Sequence, residues 1–311
     1  MAVERTIAVE PTLGGLERAE SERVSEPQRA LRKLLRRPPA LFGLLCVAAV
    51  LTWAVIPGAF APLDPLDQSL ARHLKPPGWV DAEGRTYWLG TDQQGRDILS
   101  RVVWGSRISL SVGIATVLVS GLIGVTLGLV AGYFGGKLDA VISRIVDTAL
   151  AIPFILLAMA LIAILGPSLE NIILAIALRT WIVYARVVRG EVLTLKEREF
   201  VTGAKAMGCT TLRVLAVYLL PNVLPSTLVV ATLYLGRMII IEASLSFLGV
   251  GVPPPTPTWG GMLSDGRAFL DTAWWIAFFP GVVLMLTVLG VNLLGDWLRD
   301  VLDPQMKRAA D

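Results

Sequence analysis

Long stretches of this chain contain no Asp, Glu, Lys or Arg, among them Ile108–Gly136, Thr148–Pro167, Val214–Gly236 and Thr272–Gly295. A helix rises 1.5 Å per residue, so about 20 residues cross the roughly 30 Å hydrocarbon core of a bilayer. Each run meets that length. Only 17% of the 311 residues are charged and 54% are hydrophobic, with a mean hydropathy of +0.64. A soluble domain is nearer a quarter charged. The pattern defines an all-α, polytopic membrane protein.

Six transmembrane helices are expected, at about Pro39–Ala61, Ile108–Phe134, Val146–Leu165, Asn171–Val188, Asn222–Leu248 and Ala273–Leu294. Ala59-Phe60-Ala61 resembles a cleavage site, but the apolar run before it is longer than the 7–15 residues of a signal-peptide core, so a retained first span (39–61) is expected. Residues 1–38 read as a disordered tail ending in a basic cluster: Arg29, Arg32, Lys33, Arg36 and Arg37. Residues 62–107 form one polar segment, 108–300 the core with a polar loop at 190–222, and 301–311 a short tail. Nineteen Lys and Arg flank one side of the spans and seven the other. The positive-inside bias then puts both termini and the 190–222 loop in the cytoplasm.

Several chemistries are excluded. Cys46 and Cys209 give neither metal spacing nor a disulfide framework. His73, the single histidine, sits in a Pro-rich loop and reads as solvated, so no metal or His-based catalytic set is expected. The net charge of +3 is spread over loops and does not imply nucleic acid. No G-x-x-x-x-G-K-[ST] phosphate loop occurs, so no cofactor is expected in this chain; it is no enzyme, and any ATP with its magnesium must be bound elsewhere.

Three features remain. Gly121, Gly124, Gly128, Gly132 and Gly135 fall at spacings of three and four, which puts them on one face of the second span, where a neighbouring backbone can approach; tight packing within the subunit is the first reading, a gate or subunit interface the second. Arg237 and Glu242 are costly in lipid unless they face protein or water. They lie about 140° apart around a helix, so each is expected to find a partner elsewhere, as a structural clamp or along a translocation path. In the polar loop, Phe200, Gly203, Ala204 and Met207 make an apolar stripe on a short helix that Gly208 ends. Thr210 or Thr211 can cap a second short helix running through Arg213–Leu220 to Pro221. Such an elbow buries too little to hold its shape alone and needs something to dock on.

GAKAMG followed by LLPN resembles the coupling loop of permease subunits of ATP-binding-cassette importers, in which Glu-Ala-Ala, three variable residues and Gly dock into a groove on an ATPase subunit. Thr202-Gly203-Ala204 and Gly208 stand at those places, with Thr202 where the family has its acidic residue. WLGTDQQGRDILSRVVWGSRISLSVG (Trp88–Gly113), LSFLGVGVPPPTPTWG (Leu245–Gly260) and LGDWLRDVLDP (Leu294–Pro304) are similar to the second permease subunit of dipeptide and oligopeptide importers, over about residues 85–305. The resemblance implies a six-helix permease bundle in a bacterial inner membrane. It also implies a heterodimer with a related permease, two ATPase subunits and an extracytoplasmic substrate-binding protein, for peptides or similar small solutes. The alternative from residues alone is a self-contained secondary transporter or channel.

Overall fold

The structure is a computed structural model that describes residues 37–302 together with Leu34. The tail expected over residues 1–28, the basic residues Arg29, Arg32, Lys33 and Arg36, and nearly all of the tail at 301–311 lie outside the described residues. The helices are α1 (Pro38–Val55), α2 (Pro57–Phe60), α3 (Ile98–Phe134), α4 (Gly136–Ala151), α5 (Phe154–Leu165), α6 (Leu169–Leu195), α7 (Glu199–Ala206), α8 (Thr211–Arg213), α9 (Leu220–Phe247), α10 (Trp259–Gly266) and α11 (Trp275–Leu302). A two-stranded antiparallel ribbon, β1 (Trp79–Val80) and β2 (Thr86–Tyr87), pairs Trp79 with Tyr87 and Val80 with Thr86.

Among the described residues five helices are long and apolar enough to span a bilayer, and a sixth span is present as a broken pair. The expected straight helix over Val146–Leu165 is therefore corrected. Proline disfavours α geometry in the residue before it, and Ile152 is extended (φ −88°, ψ 125°) ahead of Pro153. The chain turns by 91° between α4 and α5. At 12 residues α5 is about 18 Å long, short of a full crossing. The first span ends at Val55 rather than Ala61, because Pro57 starts a separate turn.

Pro221 does not end a helix as expected. Thr211–Phe247 is one continuous helical segment of 37 residues. A proline ring clashes with the carbonyl four residues earlier and offers no N–H, and a π-helical turn at Val214–Leu219 immediately before Pro221 absorbs that conflict. The expected elbow is thus one short helix, α7, beside the end of a long one.

Glycine spacing on α3 does what tight packing requires. A Cβ at Gly124 would lie 2.4 Å from the Trp181 carbonyl oxygen, at Gly128 2.7 Å from that of Ala185, and at Gly132 2.8 Å from Val192 Cβ. All three face α6, so the stripe serves contact within the subunit. Gly135, with φ +63°, turns the chain into α4 instead. On the other flank Gly43 of α1 meets Gly290 of α11, where an added Cβ would be 2.8 Å from the Gly290 carbonyl oxygen.

One end of the bundle carries residues 61–97 and 248–274 and is called here the loop-rich end; the other carries α7. At the loop-rich end Asp97 caps α3 by accepting from the Ser100 N–H (2.8 Å), so the helix starts at Ile98 rather than Ile108. Arg101 is thereby inside the helix and buried, and its charge is balanced by Asp92 (3.5 Å) and Asp265 (3.8 Å). Asp92 also accepts from Arg96 Nε at 2.6 Å. Trp259, fully buried, donates its indole N–H to the Val102 carbonyl (3.0 Å), and Trp275 donates to that of Thr91 (3.1 Å). These bonds fasten the loops to α3 and α11.

Candidate functional site

Helix α7 lies against the α7-end core, a cluster of Leu129, Val188, Val192, Val201, Val214, Leu219 and Val223 drawn from α3, α6, α7 and the 211–247 segment. Val201 and Ala204 face inward and are fully buried. The expected stripe of Phe200, Gly203, Ala204 and Met207 therefore divides. Ala204 belongs to the anchor, with Val201, which the sequence reading passed over. Phe200 is 43% exposed, Met207 77% exposed, and no atom lies within 4 Å of a Cβ built on Gly203. The signal that could have found Val201 is its spacing of three from Ala204, the i, i+3 contact of one helix face.

A Schellman motif closes α7. The Cys209 N–H donates to the Ala204 carbonyl (3.1 Å), the Gly208 N–H to that of Lys205 (3.0 Å), and Gly208 has φ +79°. Lys205 Nζ sits 4.9 Å from the Tyr133 ring centre and Lys196 Nζ donates to the Gly132 carbonyl (3.1 Å), which ties the loop to the end of α3. Thr202 is exposed, and its hydroxyl donates to the Glu199 carbonyl (3.0 Å) of its own helix. Thr210 occupies the N-cap position of α8 without a side-chain capping bond. Pro221 lies apart from α7's outward face. It lines a cavity of about 810 Å³ between α6, α9 and α11, with Glu191, Thr194, Asn222, Ser226 and Arg299.

The two intramembrane charges on α9 separate. Glu242 is fully buried and accepts from Ser109 Oγ of α3 (3.1 Å) and from Ser246 Oγ one turn on (2.8 Å). Ser109 in turn accepts from the Trp259 N–H at 3.4 Å. Glu242 is thus a clamp between α3, α9 and the start of α10. Arg237 points to a different place, a cavity of about 290 Å³ that it shares with Arg179 of α6, and its guanidinium lies 5.5 Å from the Tyr234 ring centre. Arg179 is a charge inside the expected fourth span, Asn171–Val188, and only the fold makes it a companion of Arg237.

A second set of charges holds the broken span. Arg189 donates to Asp139 (Nη2 to Oδ2, 2.7 Å) and Arg186 to Asp147 (3.0 Å), so the polar face of α4 is tied to α6. At the loop-rich end a cavity of about 660 Å³ opens between Leu63, Asp64, Trp104 and Arg107 on one side and Pro255 and Pro257 on the other.

The architecture defines a polytopic membrane transport protein: bundled spans, cavities at both ends and within, and a short anchored helix with a bare outward face. Residues 124–308 match the family described as "Binding-protein-dependent transport system inner membrane component", and residues 26–77 match the "N-terminal TM domain of oligopeptide transport permease C". The chain belongs to this family of importer permeases, which displaces the self-contained transporter or channel. It is 44% identical over 284 residues (91% of each chain) to the dipeptide transport system permease protein DppC of Alkalihalophilus pseudofirmus. The di/tripeptide permease protein DppC of Pseudomonas aeruginosa is 43% identical over 271 residues, 87% of this chain and 89% of that one. The glutathione transport system permease protein GsiD of Pectobacterium atrosepticum is 47% identical over 221 residues, 71% of this chain and 73% of that one. Among solved structures, a chain of the MetNI methionine ABC transporter in an inward-facing form superposes with a TM-score of 0.53 at 22% identity, over 66% of this chain and 97% of that one. That likeness shows a common fold.

Proposed function

We propose that the chain is the permease subunit of an ATP-driven importer for di- and oligopeptides or similar small solutes. It pairs with a related permease and with two ATPase subunits that bind ATP and magnesium, and it receives solute from an extracytoplasmic binding protein. Both termini and α7 face the cytoplasm, in keeping with the excess of Lys and Arg on that side. The observation that carries the reading is the division of α7: Val201 and Ala204 are buried against the α3–α6–α9 core, while Phe200, Gly203 and Met207 stand outward and exposed. A load applied to that face by a moving ATPase reaches the spans directly. ATP supplies work by binding the two conformations of the complex unequally.

The loop-rich end, with Pro253–Pro257 beside the 660 Å³ cavity, is where the binding protein lands. The experiment is reconstitution of the complex in vesicles with wild-type chain or Gly203→Trp. The site around Gly203 is open, so the variant inserts normally, but the indole occupies the docking face. ATP-dependent dipeptide uptake and co-purification of the ATPase both fall at least tenfold. Normal coupling in Gly203→Trp, or uptake indifferent to ATP, overturns the reading.

A further inference from the structure

Arg179 and Arg237 sit at the same depth. Each is ten residues from the loop-rich end of its helix, Leu169 of α6 and Phe247 of α9, or about 15 Å along the axis. Those two helix ends belong together, since Leu169, Leu245, Val250 and Val252 share one apolar cluster. The pair is therefore near the middle of a roughly 30 Å hydrocarbon layer.

Both arginines line the 290 Å³ cavity, with Thr180, Tyr234, Phe154 and Met238, and no Asp or Glu lines it. Among the described residues neither guanidinium lies within ion-pair distance of a carboxylate. Arg179 Nε is buried with no hydrogen-bond partner, and the contact found for Arg237 is the Tyr234 ring. The nearest acidic residue along α9, Glu242, is committed to Ser109 and Ser246.

Two like charges at mid-membrane depth are costly. A guanidinium cannot shed its proton to escape, unlike lysine. Its planar fork of donors matches a carboxylate, which accepts two parallel N–H bonds. Tyr234 adds a hydroxyl, whereas that of Thr180 is already donated to the Ile176 carbonyl (2.9 Å), and Phe154 and Met238 give the cavity an apolar wall. A cavity of this size takes the end of a small solute rather than a whole oligopeptide.

We infer that Arg179 and Arg237 form an anion subsite on the translocation path that receives the terminal carboxylate of the transported solute. This rests on the importer reading above and deepens it. The test uses the intact complex in proteoliposomes with saturating binding protein, and compares ATP-dependent uptake of dialanine and dialanine amide. In Arg179→Gln and Arg237→Gln, maximal dialanine uptake falls about tenfold while uptake of the amide stays at its wild-type level, and Arg237→Lys keeps most of the dialanine rate. Both probes falling equally, as pairing with a carboxylate of the partner permease would produce, overturns the subsite, and so does unchanged uptake of both. A second measurement needs no transport: Val183→Cys, which lines the cavity, in a Cys46→Ser, Cys209→Ser background. An anionic methanethiosulfonate modifies it at least fivefold faster than a cationic one, and Arg179→Gln with Arg237→Gln abolishes the preference. Equal rates before the arginines are changed overturn the inference. Failure of the wild-type complex to take up either probe with ATP speaks against the importer reading instead.

Discussion

Glu242 is fully buried, and both of its oxygens are occupied by serine hydroxyls, one on α3 and one on its own helix. Leucine has a similar volume but leaves Ser109 and Ser246 without an acceptor. Each orphaned buried hydroxyl costs about 1–3 kcal/mol, so Glu242→Leu lowers the thermal midpoint of the detergent-solubilised protein by several degrees, with Glu242→Gln, which keeps one acceptor, between the two. Gly208 presents a different kind of constraint. Its φ of +79° lies in the left-handed region, where a side chain costs roughly 1–2 kcal/mol. Nothing lies within 4 Å of a Cβ there, so the strain is purely backbone. Gly208→Val frays the end of α7, seen as faster amide exchange at Met207 to Cys209, whereas Gly208→Asn is milder, since asparagine tolerates that region.

At the scale of helices, the α3–α6 seam sets the sharpest requirement. A Cβ at Gly128 meets the Ala185 carbonyl at 2.7 Å and Val188 Cβ at 2.9 Å, and backbone cannot step aside as a side chain can. Gly128→Leu therefore prises α3 from α6 and is expected to abolish stable insertion, read as loss of a monodisperse peak after extraction, while Gly121→Ala, whose nearest neighbour is 3.8 Å away, is tolerated. The same helices show what a sequence can reveal. Uncharged runs located the lipid-crossing parts of α3, α9 and α11, because hydropathy reports the solvent a segment must meet. They could not find where helices continue into water or protein. The first ten residues of α3 include Arg101, whose partners Asp92 and Asp265 are separated by 173 positions in sequence and unite only in the folded chain. The break at Pro153 was written in the sequence, yet a hydropathy window averages across it. Pro221 misled in the opposite sense: a π turn accommodates it and the helix goes on. Ala204 was found as an apolar helix residue but assigned to the wrong face, since periodicity gives a stripe and not its neighbour.

For the molecule as a whole, the loops at one end are tied to the spans by ion pairs and indole hydrogen bonds. Asp265 reaches both Arg96 (3.5 Å) and Arg101 (3.8 Å), joining α10 to the start of α3. Removing it leaves two buried guanidiniums with Asp92 alone, so Asp265→Asn is expected to expose the 248–274 loops to protease while leaving cleavage around α7 unchanged; equal protection in both proteins would refute the link. That cap and α7 are joined by a single element. With 37 residues, α3 is about 55 Å long, nearly twice the hydrocarbon thickness, and it runs from the Asp97 cap beside Arg101 to Tyr133 under Lys205. On the proposed importer function, a protein seated at one end and a motor pressing on α7 at the other would act on the same shaft, and a signal that cargo has arrived would need no relay of side chains to reach the motor.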